Sequence, residues 1–238
     1  MTKRESLFRR SAVSQTEKAY VALEELIVTG ELPPASQWSE NMLSERIGFG
    51  RSPTRDALQE LAFQRLVRIV PRQGIFISEI DYQGQLKIIQ SRREIERLIV
   101  TQAALCATEA ERNEMAGIIL ELEKLKIEKD IRVYMGVHFN LTKLLGTASR
   151  NSYAAEFYAM LQTLARRFMY FHHERYESLS VPCELHINQL GAIISGGPQA
   201  AMEAAVARND YAENFAKSIL MELIATSDVT VSLTNRKR

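Results

Sequence analysis

Five polar side chains interrupt apolar helical stripes after residue 80 of this 238-residue chain, namely Arg92, Tyr134, His138, His186 and Arg208. Burying guanidinium, imidazole or phenol groups costs free energy unless they find hydrogen-bond partners. Each residue taken alone could be a satisfied core residue or a half-exposed one. Because several of them occur in what is predicted to be a single helical bundle, the pattern favours a polar pocket that binds a ligand.

A second set of basic residues has the spacing of a nucleic-acid reader. Arg55 and Gln59 lie one turn apart on a predicted helix whose opposite face carries Leu58 and Leu61. Arg51, just before that helix, is expected on the same side as Arg55, and Arg72 lies in a predicted turn. An arginine in the DNA major groove recognises guanine through two parallel hydrogen bonds. These arginines therefore indicate base recognition.

Two short helices must position Arg51 and Arg55. Ser39 is expected to cap the first helix, which Gly48 ends, and Ser52 is expected to cap the second, with Pro53 at its first position. An amphipathic helix at about 17–28 precedes them. Two helices joined by a glycine-bearing turn predict a helix-turn-helix whose second helix enters the major groove of double-stranded DNA.

The residues that follow predict a wing. Two short runs, residues 66–70 and 74–77, are rich in β-branched residues and lie on either side of Pro71-Arg72-Gln73, which is typical of a two-stranded hairpin. We therefore expect a winged helix-turn-helix of three helices and a two-stranded wing.

The rest of the chain predicts an all-α helical bundle, so the fold class is mainly α. Helices are expected at about 82–107, 109–129, 131–145, 151–177, 183–195 and 198–226. The expected organisation is a flexible basic arm at 1–15, a DNA-binding domain at 16–80, a helical domain at 81–227 and a flexible tail at 228–238.

Overall composition argues against several function classes. The net charge of +1 does not indicate DNA binding, so the argument depends on where the arginines lie. The basic arm formed by Lys3, Arg4, Arg9 and Arg10 is expected to be a disordered leader, with added phosphate contacts as the alternative. No apolar run approaches the ~20 residues of a membrane span, so no membrane partner is expected. Cys106 and Cys183 have no paired spacing and are expected to be buried free thiols in a reducing cytoplasm.

The absence of recognisable catalytic patterns argues against an enzyme. The chain has no nucleophile elbow, no glycine-rich phosphate loop and no HExxH motif. Together, the predicted pocket and the predicted helix-turn-helix favour a DNA-binding regulator that responds to a ligand. Two alternatives to this interpretation remain open. One is an enzyme that uses the helical pocket, and the other is a DNA-binding protein whose helical half only dimerises.

Residues 19–80 resemble the winged helix-turn-helix domain of the GntR family of bacterial transcription regulators. The phrases that carry the resemblance are Gly30-Glu31-Leu32-Pro33-Pro34, Leu43-Ser44-Glu45-Arg46-Ile47-Gly48, Arg51-Ser52-Pro53-Thr54-Arg55-Asp56-Ala57-Leu58 and Val70-Pro71-Arg72-Gln73-Gly74-Ile75-Phe76-Ile77. Residues 82–226 resemble the helical FCD effector domain of the FadR-type branch. The resemblance implies a homodimeric regulator, expected to be a repressor, that binds a short palindromic operator.

The resemblance also implies which residues contact DNA. Arg51, Ser52, Thr54 and Arg55 match the recognition-helix positions, with both arginines on bases. The tip of the wing, which approaches the minor groove, would be formed by Arg72, Gln73 and Gly74. Two departures are Gly50, where relatives often have a hydroxyl residue, and Asn41, where some have an arginine.

Many FCD domains hold a divalent metal with one Asp and three His. The matching positions here are Tyr134, His138, His186 and Arg208, so two of four ligands remain and a cation replaces a third. An arginine ~4 Å from a dication would oppose binding by about 8 kcal/mol at an effective dielectric of 20. We therefore expect no metal and no cofactor. Arg208 is instead expected to hold an anionic effector, a carboxylate, with Arg92 as a second cation; the alternative is that Glu96 pairs with Arg208.

Overall fold

The computed structural model describes residues 14–175 and 178–235, with side chains to residue 225, and the chain divides into two compact units between Ile80 and Asp81. The predicted arm residues Lys3, Arg4, Arg9 and Arg10 lie outside the described residues. The elements of the first unit are α1 (Gln15–Val28), β1 (Gln37–Trp38), α2 (Glu40–Ile47), α3 (Arg51–Phe63), β2 (Val67–Val70) and β3 (Gly74–Ile77).

Local capping fixes where α2 begins and ends. The hydroxyl of Ser39 accepts a hydrogen bond from the backbone N–H of Met42 at 3.2 Å, which confirms the predicted cap. Gly48 ends the helix in the left-handed conformation, with φ of 71°. Glycine adopts this conformation without the steric cost that a side chain would add, so the turn into α3 can be tight.

The predicted cap of α3 is wrong by two residues. Gly50, not Ser52, is the N-cap, and α3 begins at Arg51. The carbonyl of Gly50 accepts hydrogen bonds from both the backbone N–H and the hydroxyl of Thr54, at 3.2 and 2.9 Å. Pro53 therefore lies at the third helical position, where an N–H would still have no partner within the helix.

The wing contains a third strand. The sheet has the order β1-β3-β2 with antiparallel pairing, in which Trp38 faces Ile75 and Val70 faces Gly74. The two-residue strand β1 is too short to show alternation in the sequence, so only the β2–β3 hairpin was predicted. The core of the first unit combines buried residues of the helices with two residues of β3: Ala19, Leu23, Ile27, Leu43, Leu58 and Leu61 from the helices, and Ile75 and Ile77 from the strand.

The second unit is helical throughout its described residues. Its elements are α4 (Gln85–Cys106), α5 (Glu109–Glu128), α6 (Ile131–Ala148), α7 (Ser152–Phe171), a 3-10 turn (His173–Arg175), α8 (Ser180–Ile194) and α9 (Pro198–Asn235). Helix α4 packs against α7 and α9, and α8 packs against α5 and α9. The unit is thus a bundle with α4 at its centre.

Several helix ends of the second unit differ from the predicted ones. Helix α7 ends at Phe171 instead of residue 177, and the ring of the following residue, His172, packs against Phe168 and Tyr82. Helix α6 extends to Ala148, and α8 starts earlier, at Ser180. The predicted tail at 228–238 begins inside α9.

The sequence predicts a buried stripe on α4 that consists of Ile88, Arg92, Ile95, Ile99, Gln102 and Cys106, and the buried face of the helix is rotated from it. The buried face carries Gln85, Ile89, Arg92, Glu96, Ile99 and Ala103, and leaves Ile88 and Ile95 only partly buried. Cys106 is consequently exposed, contrary to expectation, whereas Cys183 is buried; both are free thiols. Helix α4 is covered on two sides, so hydrophobic periodicity alone could not choose between its faces.

Across residues 14–175 and 178–235, no helix has the combination of length and apolarity that crossing a bilayer requires.

Candidate functional site

A cavity of about 50 Å³ lies inside the helical unit, and all five predicted pocket residues line it. Helix α4 supplies Arg92, α6 supplies Tyr134 and His138, α8 supplies His186, and α9 supplies Arg208. The remaining lining residues are mostly apolar: Ala165, Phe168, Met169, Pro182, Leu185, Ala212 and Phe215, with Gln85 and Tyr211. Polar residues that lie far apart in the sequence thus line the same cavity.

Arg208 is paired with Glu96, the carboxylate that the sequence offered as its alternative partner. The Nε and Nη2 atoms of Arg208 donate to Oε1 of Glu96 at 2.9 and 2.6 Å, and Glu96 is 0% exposed. Amide groups of Gln189 and Asn209 also donate to this carboxylate, each at 2.9 Å. Glu96 is therefore fully coordinated, and most of the donor fork of Arg208 is occupied.

Arg92 is less completely satisfied. Its Nε donates to Oδ1 of Asn209 at 2.9 Å and lies 3.9 Å from Oε2 of Glu96. Its Nη2 is buried and has no hydrogen-bond partner among the described residues. None of the described Asp or Glu residues lines the cavity. The carboxylate of Glu96 lies next to the cavity and pairs with the guanidinium groups of both Arg92 and Arg208.

The two histidines are held neutral. Burial, together with His186 and Arg208, lowers the pKa of His138 well below its ordinary value, and burial with Arg208 and Arg92 does the same to the pKa of His186. The rings lie 4.7 Å apart in an edge arrangement, and Nη1 of Arg208 is 3.0 Å from Nε2 of His186. Both ring nitrogens of His138 are buried without a hydrogen-bond partner among the described residues. His138 can therefore offer one donor and one acceptor to a ligand.

The ionic groups stay charged at neutral pH. Burial, followed by the charge of Arg208, lowers the pKa of Arg92 to about 10. Burial acts to raise the pKa of Glu96, but Arg208 and Arg92 outweigh it and lower the pKa overall. The network thus holds two positive charges against one negative charge.

The residues at the family's metal positions do not fit a metal. A zinc site needs three or four N, S or O ligands, and here Tyr134, His138 and His186 share the space with a guanidinium. The Nε2 atom of His186 that would coordinate a metal is already 3.0 Å from Nη1 of Arg208. Among the described residues there is no group of three or more His, Cys, Asp or Glu that could hold an ion.

The recognition helix presents a polar face, but its four predicted contact residues do not all reach it. Arg51, Ser52 and Arg55 are exposed. Thr54 is 0% exposed and its hydroxyl donates to the carbonyl of Gly50, so this side chain does not reach the exposed face. Arg55 forms a bidentate pair with Glu40 on α2, at 3.0 and 2.8 Å, which the sequence analysis missed.

The wing tip has the predicted residues at its surface. Arg72 and Gln73 are exposed, and Arg72 has φ of 64°. The carbonyl of Gln73 accepts a hydrogen bond from the side chain of Gln37 at 2.6 Å, which ties the tip to β1. Gly74 has φ of 110°, and a Cβ there would lie 2.6 Å from the carbonyl oxygen of Trp38. Glycine is thus required at this position by the third strand.

Each unit matches a known protein family. Residues 15–77 match the family described as bacterial regulatory proteins, gntR family, and residues 87–209 match the FCD domain. The FCD match alone covers more than half of the chain. The two matches fall on either side of the boundary between the two units.

Similar proteins include three helix-turn-helix transcriptional regulators. One, from an unstable DNA locus of Streptomyces ambofaciens, is 39% identical over 62 residues, which is 26% of each chain. One, from the TAR-I ttuE-ttuC' intergenic region of Agrobacterium vitis, is 27% identical over 58% of this chain and 75% of its own. The repressor GlaR of Escherichia coli is 30% identical over 35% of this chain and 38% of its own.

Solved structures show the same fold. E. coli McbR/YncC aligns with a TM-score of 0.75 at 17% identity, over 88% of this chain and 100% of the other. A GntR regulator from Rhodococcus aligns with a TM-score of 0.64 at 17% identity, over 86% and 98%. The chain therefore belongs to the GntR family of bacterial transcription regulators, in the branch that carries an FCD domain, and it is a DNA-binding regulator rather than an enzyme.

Proposed function

We propose that this chain is a ligand-responsive repressor of the cytoplasm that binds a short palindromic operator as a homodimer. In this proposal the helical unit dimerises and its cavity binds a small organic anion, a carboxylate. Binding of the anion alters the affinity of the dimer for DNA. That GlaR is named a repressor supports the sign of regulation. The whole protein would thus convert the concentration of an anion into occupancy of an operator.

The observation that carries the proposal is the charge balance of the cavity. Arg92 and Arg208 share one carboxylate, and Nη2 of Arg92 has no hydrogen-bond partner among the described residues. A buried cation without a full complement of partners is costly, and an incoming carboxylate would relieve that cost. Arg92 is therefore the main anchor of the effector, with His138 as a neutral partner and Tyr134, His186 and Arg208 completing the polar wall.

The DNA contacts follow from the exposed residues of the first unit. Arg51 and Arg55 would read bases, Ser52 would contact phosphate, and the wing tip would approach the minor groove with Arg72 and Gln73. One helix offers too few base contacts for a specific site, so a second copy is needed to occupy a second half-site.

The test of effector binding is thermal unfolding of the full chain with a series of carboxylates. The Arg92→Gln variant removes the charge, and Arg97→Gln is the matched control because Arg97 lies on the same helix but is partly exposed. We expect an anion to raise the unfolding midpoint of wild type and Arg97→Gln but not of Arg92→Gln. If no carboxylate raised the midpoint of the wild-type protein, the helical unit would serve dimerisation only and the proposal would fail.

A further inference from the structure

We infer that the cavity selects a short-chain aliphatic monocarboxylate, one whose body carries neither a second charge nor several hydroxyl groups. This inference rests on the proposed function, because it names the class of anion that the same cavity binds. Three properties of the cavity lead to it: its charge, the chemistry of its apolar lining residues, and its size.

The net charge of the buried ionic network balances the charge of a single carboxylate. Arg92 and Arg208 carry two positive charges and Glu96 carries one negative charge. The imidazoles of His138 and His186 contribute no charge at neutral pH because both are buried beside cations. One anionic group therefore neutralises the network, and a second carboxylate would be buried without a counter-ion.

Apart from the five polar residues and from Gln85 and Tyr211, the side chains that line the cavity are apolar. This apolar wall is formed by side chains of α7, α8 and α9, namely Ala165, Phe168, Met169, Pro182, Leu185, Ala212 and Phe215. An aliphatic chain gains free energy by contact with such a wall. Hydroxyl groups placed there would lose their hydrogen bonds to water without replacement, and this excludes polyhydroxylated acids.

The size of the cavity restricts the length of the ligand. A volume of about 50 Å³ is available before any side chain moves. One water molecule needs roughly 10–15 Å³ on this measure, so the cavity accommodates a handful of non-hydrogen atoms. Acids of three or four carbons match that size, and longer acids would require the apolar wall to move.

Four compounds with a four-carbon skeleton separate these properties. Butyrate has the expected chemistry, butyramide removes its charge, succinate adds a second carboxylate and threonate adds three hydroxyl groups. Isothermal titration of the full chain with each should show butyrate binding at least about tenfold more tightly than the other three, a difference equivalent to 1.4 kcal/mol. Because the four compounds have similar lengths, their ranking reports the effects of charge and polarity and not of size.

A variant that fills the cavity shows whether butyrate binds there. Ala212 lines the cavity and is only partly buried, so Ala212→Leu should block the cavity while preserving the fold. We expect this variant to lose butyrate binding with little change in its unfolding midpoint. Wild-type affinity for butyrate in Ala212→Leu would overturn the inference.

The outcomes separate this inference from the function on which it rests. If succinate or threonate bound more tightly than butyrate and did so only when Arg92 was intact, the anion-responsive function would stand and the monocarboxylate inference would be wrong. If none of the anions bound in the titration or in the thermal series, the proposed function would fail as well. Equal affinity for butyrate and butyramide would show that charge does not select the ligand, which also contradicts the inference.

Discussion

The two units each contain a close Arg–Glu pair, in opposite environments. In the first unit Arg55 lies 2.8 Å from Glu40 with side chains that are 60% and 27% exposed, and in the second Arg208 lies 2.6 Å from Glu96 with side chains 7% and 0% exposed. Water screens the first pair, so Arg55 can exchange Glu40 for DNA at little cost. The second pair has no solvent to replace a lost partner, so Arg208 stays with Glu96.

This difference assigns the two arginines different roles. An exposed pair can open reversibly, which frees its arginine to bind DNA. A buried pair that Gln189 and Asn209 also stabilise is a fixed part of the cavity wall. The fixed pair leaves Arg92 as the group with unused hydrogen-bonding capacity, which is why we assign the effector chiefly to Arg92.

Removing Glu96 should give the largest effect on stability. Glu96→Ala leaves two buried guanidinium groups without a counter-ion, and we expect the free energy of unfolding to fall by about 3–5 kcal/mol. Urea unfolding measures this, with Glu94→Ala on the same helix as an exposed control. Should Glu96→Ala fail to fold, the isosteric Glu96→Gln still tests the role of the charge. A Glu96→Gln protein as stable as wild type would show that the buried pair is not a fixed element.

The pH dependence of stability should also come from the second unit. The pKa values of His138 and His186 are depressed in the folded protein, so the unfolded chain binds more protons once the pH falls below about 6.5. The stabilisation is fully present above that pH and is lost as the pH falls, by up to about 2.7 kcal/mol per pH unit for two protons. Urea unfolding between about pH 7.5 and about pH 5.5 measures this slope. His138→Gln should reduce the slope by the share of one proton, about 1.4 kcal/mol per pH unit, and an unchanged slope would mean that the pKa of His138 is not depressed in the folded protein.

Removing Glu40 should have the smallest effect on stability and a distinct effect on DNA binding. Glu40→Gln breaks an exposed pair, so the unfolding midpoint should stay as in wild type. The freed Arg55 can then contact phosphates of any sequence, so binding to random duplex DNA should strengthen more than binding to the operator. Fluorescence anisotropy with both duplexes measures the ratio, and Glu45→Gln on the same helix is the charge-matched control. A ratio equal to that of Glu45→Gln would show that the Arg55–Glu40 pair has no part in discrimination.

Local signals in the sequence predicted the first unit well. The Ser39 cap, the Gly48 turn and the hairpin around Arg72 are each specified by a few neighbouring residues. The cap of α3 was misplaced because the helix begins after Gly50 without a side-chain cap, so no capping side chain marks its start in the sequence. Strand β1 was missed because two residues carry no periodicity.

In the second unit, the sequence predicted which residues meet but not how they pair. Arg92, Tyr134, His138, His186 and Arg208 could be found because polar groups in apolar stripes are conspicuous. The bond from Arg208 to Glu96 joins residues 112 positions apart, so no local pattern could establish it. The contributions of Gln189 and Asn209, and hence the unused donor on Arg92, became apparent only from the packing of α4, α8 and α9.

The most direct test of the account is release of DNA by butyrate in proteins that differ at Arg92. Full-length wild type, Arg92→Gln and the Arg97→Gln control would each be bound to a fluorescent operator duplex selected with the wild-type protein, and butyrate would be titrated while anisotropy is recorded. The account predicts that butyrate releases the operator from wild type and Arg97→Gln but not from Arg92→Gln. Equal release from all three proteins, or no release from wild type, would contradict it.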